Sequence, residues 1–211
     1  MNQFFTEIDD DLKQDKFLNL FKKYKYKIII FVIILFFIIF FFIGKNILFE
    51  SRAKKATQEY VYILNLISEK KNDEAKKRLE DLKNSKINIY KVLAISKLLE
   101  LSKNDKNKQI SLLDEAISGD IERNDKDLFK IKKAILIFES SDENKFFDLL
   151  NPSDFKNSPW KILSLEMLGD FYLDRGQKNK AKDIYNQVLK TENIPELFKK
   201  EIEKKVKALI K

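Results

Sequence analysis

The sequence predicts an all-α protein: a single transmembrane helix, then an α-solenoid of about four helical hairpins and a C-terminal capping helix. Three observations predict this fold. Residues 28–43 form an unbroken apolar run. The chain after it places apolar residues at helical spacing, with short polar turns between the segments. Within that part, the second segments of successive pairs begin 34, 36 and 36 residues apart, which is typical of a repeat protein.

The apolar run divides the chain into three predicted regions. Residues 1–27 form a cytoplasmic amphipathic segment, residues 28–49 a transmembrane anchor, and residues 50–211 a repeat domain on the other side of the membrane. The first hairpin follows the anchor so closely that the anchor helix can continue directly into it.

The anchor is predicted from composition and length. Residues 28–43 contain only Ile, Phe, Val and Leu, and as a helix they cover about 24 Å of a hydrocarbon core about 30 Å thick. Tyr24 and Tyr26 suit the membrane interface, and the apolar residues 47–49 extend the span. A cleaved signal peptide is the alternative. It is disfavoured because the run is long and residues 44–52 contain no small-x-small cleavage site.

The lysines beside the span predict its orientation. Six lysines lie between residues 13 and 27, whereas four basic residues lie between 45 and 55. Because cytoplasmic flanks carry the excess of Lys and Arg, we expect a cytoplasmic N-terminus and a repeat domain on the opposite side of the membrane.

Residues 4–24 approximate an amphipathic helix, with acids first and lysines near the end. Its apolar face would comprise Phe5, Ile8, Leu12, Phe17, Leu20, Phe21 and Tyr24. Three interpretations remain open for this segment: a helix in the lipid interface, a docking element for a membrane partner, or a simple lead-in to the span.

Composition argues against an enzyme. The chain has no Cys, no His and only four Gly, so common nucleophiles, bases, zinc ligands and phosphate-binding loops are missing. We therefore expect no catalytic residues, no cofactor, no metal site and no small-molecule substrate. The net charge of +8 does not indicate nucleic acid, because the lysines are interspersed with 33 acidic residues.

Nine helical segments are predicted. They are residues 53–69, 73–84, 87–102, 107–118, 125–139, 143–150, 159–174, 178–191 and 196–210. In the last one, Phe198, Ile202, Val206 and Leu209 share one side and lysines occupy the rest, as expected of a solvent-facing cap. The earlier second helices align as Ala75-x3-Leu79-x2-Leu82, Gln109-x3-Leu113-x2-Ala116 and Lys145-x3-Leu149.

Residues 162–195 carry the clearest repeat. Leu165, Leu168, Gly169, Tyr172, Gly176, Ala181, Tyr185 and Val188 match the frame of a tetratricopeptide repeat. Gly169 is predicted to lie where two helices approach closely, opposite Ala181. Gly176 is predicted to take the positive φ that ends the first helix. The predicted fold is therefore a tetratricopeptide-like solenoid.

The whole layout resembles the tetratricopeptide-like ancillary subunits of the SecYEG translocon, in the form common in alphaproteobacteria. The resemblance rests on the N-terminal FFTEIDDDLKQDKFLNLFKKY, the single span and the final repeat, with its Ser158-Pro159-Trp160 entry and Leu168-Gly169 pair. It implies a periplasmic domain on an inner-membrane anchor that associates with the translocon and passes emerging proteins to periplasmic chaperones.

Helical hairpins of this kind form a groove that receives peptides or partner helices. In the best repeat, the predicted groove residues are Ile162, Glu166, Asp170, Leu173 and Asp174. The three acids lie at i, i+4 and i+8 and would attract basic segments. Two alternatives remain open: a merely solvated acidic face, and a groove filled by the chain's own C-terminal helix. An envelope scaffold for cell division or the cell wall is the alternative function.

Overall fold

The structure is a computed structural model that describes the backbone of residues 2–209 and the side chains of residues 24–27 and 29–209. Over these residues the regular secondary structure is entirely α-helical, which confirms the predicted fold class. The helices are α1 (Asn2–Ser68), α2 (Asn72–Leu82), α3 (Asn88–Leu101), α4 (Lys106–Ser118), α5 (Arg123–Ile137), α6 (Glu143–Leu149), α7 (Lys161–Asp174), α8 (Lys178–Leu189) and α9 (Glu196–Ala208).

The chain divides into two compact units, Met1–Lys55 and Ala56–Lys211. In the first unit, the side chains of residues 29–43 are all exposed, and Phe37 has 73% of its surface accessible. α1 contains one segment that is long and apolar enough to cross a membrane. The amphipathic face predicted for residues 4–24 lies outside the described side chains, except for Tyr24, and stays a prediction.

In the second unit, helices pair into consecutive antiparallel hairpins, with α9 following the last one. The end of α1 belongs to the first hairpin, because Ile63 and Leu66 are buried in one cluster with Ala75 and Leu79 of α2. The pairs α3–α4, α5–α6 and α7–α8 follow in chain order. This arrangement confirms the predicted solenoid.

The core consists of two adjoining apolar clusters that meet at α5. The first runs along the chain from Ala56 to Phe129, and the second from Ile131 to Ile202. Phe129 and Ile131 lie on opposite sides of the same helix, so α5 contributes to both clusters. Such sharing of helices between neighbours is how a repeat stack buries one continuous core.

In the second helix of each hairpin, the sequence predicts which positions are buried. The prediction is correct for α2 and is wrong by one residue for α6. In α2, the buried residues are Ala75, Leu79 and Leu82, as expected. In α6, Phe146 and the following Leu150 are fully buried, whereas Leu149 is half-buried. The reason is an aromatic contact: the Phe146 ring stacks on Phe171 of α7 with centroids 3.9 Å apart.

Polar bonds join each hairpin to the next. Asn88 at the start of α3 donates its amide to the Asp125 carboxylate at 2.6 Å. The Trp160 indole before α7 donates to the Asn124 carbonyl at 2.9 Å. These pairs are 37 and 36 residues apart, so both contacts connect equivalent ends of neighbouring hairpins.

Candidate partner-binding surface

The surface predicted to bind partners lies on α7, whose C-terminal end is fixed by Gly176. This residue has φ = 71°, a left-handed conformation that favours glycine. The Gly176 amide donates to the Leu173 carbonyl and the Gln177 amide to the Tyr172 carbonyl, each at 2.9 Å. This bond pair is a Schellman motif, and it confirms the predicted helix stop.

Gly169 lies where α7 meets α8, but its neighbour is Tyr185 and not Ala181 as predicted. A Cβ atom added at Gly169 would lie 2.5 Å from Cε1 of Tyr185. Tyr185 has no accessible surface, and Ala181 is equally buried nearby on α8. The tyrosine ring therefore lies directly over the glycine. Ala181 lies one turn before Tyr185 on α8 and packs in the same contact between the two helices.

A polar network lies at the edge of this contact. The Tyr185 hydroxyl donates to Oδ1 of Asp170 at 2.6 Å. Lys205 of α9 donates to the same Oδ1 and to Oε1 of Glu166, both at 2.8 Å. One lysine thus holds two carboxylates of α7 that lie one helical turn apart.

The network shifts the protonation equilibria of two of its members. Burial, together with the hydrogen bond to Asp170, raises the pKa of the Tyr185 hydroxyl far above its ordinary value. For Lys205, burial alone would lower the pKa, but the hydrogen bonds to Asp170 and Glu166 outweigh it and the pKa is raised. At neutral pH, Tyr185 is neutral and Lys205 is charged, as these bonds require.

The five predicted groove residues fall into three environments. Ile162 and Leu173 are half-buried and pack against the second core cluster. Glu166 and Asp170 are joined through Lys205, with 13% and 38% of their side chains exposed. Asp174 is exposed and pairs with the adjacent Arg175 at 3.3 Å. The structure therefore brings Glu166 and Asp170 together and leaves Asp174 apart, while partner binding at these residues stays a prediction.

Lys205 is the residue that the sequence prediction missed. The lysines of the last helix were all expected to face solvent, and for Lys205 this is wrong, since only 24% of its side chain is exposed. The available signal was spacing. Lys205 lies three residues after Ile202, which puts both side chains on neighbouring parts of one helix face.

A cleft of about 490 Å³ opens beside α7, where the first helices of two hairpins are neighbours. Ile135 and Leu136 at the end of α5 and Met167 of α7 line it, with Lys106 and Glu139 at its edges. Ile135 has 62% of its surface exposed. The cleft therefore offers apolar contacts flanked by one charge of each sign, which suits a peptide or helix.

Among the side chains that the structure describes, no three His, Cys, Asp or Glu residues converge as metal ligands would. No curated protein matches this sequence, and no solved structure matches it either. A family model described as a tetratricopeptide repeat-like domain matches residues 19–211, which is most of the chain. Together with the hairpin stack and the Gly169–Tyr185 packing, this match shows that the chain belongs to the tetratricopeptide repeat-like domain family.

Proposed function

We propose that the protein is an inner-membrane adaptor that associates with the SecYEG translocon and hands secreted proteins to periplasmic chaperones. The observation that carries the proposal is the combination, in one chain, of an exposed apolar segment in α1 with a tetratricopeptide-like stack. Repeat domains of this kind are protein-interaction modules. A module held at a membrane acts on partners that work at that membrane.

The anchor supports this role through the chemistry of its surface. Residues 29–43 expose only apolar side chains. Such a surface is stable in lipid, where a helix satisfies its own backbone hydrogen bonds. Tyr24 and Tyr26 are both exposed just before it, at the level of an interfacial aromatic belt.

The lysine excess before the span supports a cytoplasmic N-terminus, and in the proposed topology the repeat domain then lies in the periplasm. A reporter enzyme active only in the cytoplasm, fused to the C-terminus, should be silent. A reporter active only in the periplasm, fused at the same position, should be active. The opposite pattern would place the repeat domain in the cytoplasm and remove its access to periplasmic chaperones.

Crosslinking in cells tests the partners. A photoreactive amino acid replaces Ile135, which lines the cleft beside α7. The matched control replaces Leu197 of α9, which is also apolar and is 84% exposed but does not line that cleft. We expect crosslinks from Ile135, and not from Leu197, to translocon subunits, periplasmic chaperones or secreted proteins in transit.

The same experiment distinguishes the alternative function. Capture of cell-division or cell-wall proteins from Ile135, without translocon subunits, would identify an envelope scaffold. Equal capture from Ile135 and Leu197 would argue that the cleft is not where partners bind.

A further inference from the structure

The C-terminal helix α9 covers part of α7 and α8 with its apolar side. Ile202 at its centre has no accessible surface and belongs to the second core cluster with Tyr185 and Val188 of α8. Phe198 and Val206, one turn before and after Ile202, are half-buried against the same cluster. α9 is therefore docked as an amphipathic helix in a groove.

One charged contact fixes the position of α9. The Lys205 ammonium lies 2.8 Å from Oε1 of Glu166, and 2.8 and 3.1 Å from the two carboxylate oxygens of Asp170. The Tyr185 hydroxyl donates to the same aspartate and helps to hold its carboxylate in place. We call the surface formed by Glu166, Asp170 and Tyr185 with the apolar residues around Ile202 the α9 seat.

α9 is the last element of the stack. Because each element of a repeat stack contacts mainly its neighbours, release of α9 would leave the contacts among the earlier hairpins in place. The opposite side of α9 is solvated: Leu197, Lys200, Lys204 and Lys207 are all exposed. If α9 left, it would uncover an apolar surface. The carboxylates of Glu166 and Asp170 and the Tyr185 hydroxyl would remain arranged around the position that the Lys205 ammonium had occupied.

We propose that the α9 seat is a partner-binding site and that α9 is its internal ligand. The partner it fits is an amphipathic helix that reproduces the pattern of α9. That pattern places apolar residues at the positions of Phe198, Ile202, Val206 and Leu209, and a lysine at the position of Lys205. The inference rests on the proposed function, since it specifies how a protein-binding repeat domain recognises its partner. It also explains why two of the predicted groove residues are already engaged.

Competition gives this arrangement a measurable consequence. A tethered helix competes at high effective concentration, so a partner helix in solution binds the intact chain weakly. The apparent affinity is reduced by the fraction of molecules in which the seat is open. Any change that releases α9 without altering the seat should therefore strengthen binding of the same helix added in trans.

The test uses the full chain in detergent micelles and a fluorescent peptide of residues 194–211. Lys205→Glu in the chain places a third carboxylate against Glu166 and Asp170 and should release α9. Lys207→Glu is the matched control, because it makes the same charge change on an exposed residue of the same helix. We expect Lys205→Glu to bind the peptide at least about tenfold more tightly than the unaltered chain and Lys207→Glu to match the unaltered chain.

Amide hydrogen exchange shows whether α9 is released. We expect residues 196–208 to exchange faster in Lys205→Glu than in Lys207→Glu. Release of α9 without tighter peptide binding would overturn the proposal, because the uncovered seat would then not bind a helix. Full protection of α9 in Lys205→Glu would also overturn it, because Lys205 would not hold the helix. If Lys205→Glu loses helicity, Lys205→Met removes the charge while keeping the length of the side chain and gives the same comparison.

A charge exchange checks that recognition is specific. A peptide carrying Lys205→Glu should not bind the chain opened by Lys205→Met, and should bind when that chain also carries Glu166→Lys, because the methionine of its own α9 cannot pair with the new lysine. Crosslinking from Ile135 in the same variants separates the two proposals. Persistent capture of partners with no peptide binding rejects only the α9 seat, whereas peptide binding with no capture of translocon, chaperone or secreted proteins rejects only the proposed function.

Discussion

Gly169→Ala should destabilise the last hairpin, although alanine favours helices more than glycine does. The added Cβ would lie 2.5 Å from Cε1 and 2.8 Å from Cδ1 of Tyr185, closer than real side-chain contacts come. The tyrosine cannot easily move aside, because it is fully buried and its hydroxyl is bonded to Asp170 at 2.6 Å. Either α7 and α8 separate, or the ring tilts and its hydrogen bond breaks.

The magnitude follows from three contributions. Overpacking a core typically costs about 1–3 kcal/mol. Loss of a hydrogen bond to a charged group costs about 1.5–3 kcal/mol, and the higher helix propensity of alanine offsets up to about 1 kcal/mol. With the full offset, we expect a net loss of about 1.5–5 kcal/mol in the free energy of unfolding. In a domain of this size, that loss lowers the Tm by about 3–20 °C.

Thermal circular dichroism of the full chain in detergent measures the loss of stability. Limited proteolysis should locate the first new cleavages between α7 and α9. Gly44→Ala is the control, because Gly44 is also helical but has nothing within 4 Å of an added Cβ. Its effect should be small. The double variant Gly169→Ala with Tyr185→Leu should lose less stability than the sum of the two single variants, since leucine leaves room for the methyl group.

Two results would refute this reasoning. One is a Tm for Gly169→Ala equal to that of the unaltered chain. The other is simple additivity with Tyr185→Leu, which would mean that residue 169 and the tyrosine do not share the same space.

Two further predictions concern contacts between hairpins. Arg175→Ala should lower the free energy of unfolding by about 2–4 kcal/mol. The Arg175 guanidinium donates to the Phe138 carbonyl at the end of α5 at 2.9 Å, and it lies 3.5 Å from the Phe171 ring centroid. Chemical denaturation measures the loss, and a smaller loss in Arg175→Lys would show that the planar guanidinium contributes beyond its charge. The hydrogen bond from Lys180, followed by that from Gln177, lowers the pKa of Glu143, so the stability it contributes is present above its unfolded pKa and is lost as pH falls through the lowered pKa of the folded state. Thermal melts of Glu143→Gln should therefore differ from those of the unaltered chain at pH 7 and converge with them in acid, once Glu143 is protonated in both states; a constant difference would contradict this linkage.

The helices could be predicted from sequence because each carries its own signals. Apolar spacing marked the segments, and their described ends agree with the predicted ones within two residues, apart from the start of α1. α7 begins at Lys161, two residues later than predicted, because Trp160 lies in a turn where its amide donates to the Ser158 hydroxyl. Local chemistry therefore fixed most of the fold.

The contacts between hairpins could not be predicted in the same way. Glycine at position 169 indicated a close approach, but which residue of α8 filled the space depended on the rotation of one helix against the other. Lys205 shows the same limit: its helix could be predicted, but not that two carboxylates 35 and 39 residues earlier would receive it. Tertiary pairing of polar groups leaves little periodic signal in a single sequence.

The spacing of the contacts between hairpins has a consequence for how the chain is made. The bonds from Asn88, Trp160, Arg175 and Lys205 reach partners 34 to 39 residues away. In each pair, the N-terminal hairpin has left the ribosome before its C-terminal neighbour. Each new hairpin can therefore pack against the folded hairpin before it once about forty residues beyond that hairpin have left the ribosome. Since such local contacts also favour rapid folding, we expect the newest hairpin to be the part of the repeat domain whose core residues are still uncovered during synthesis.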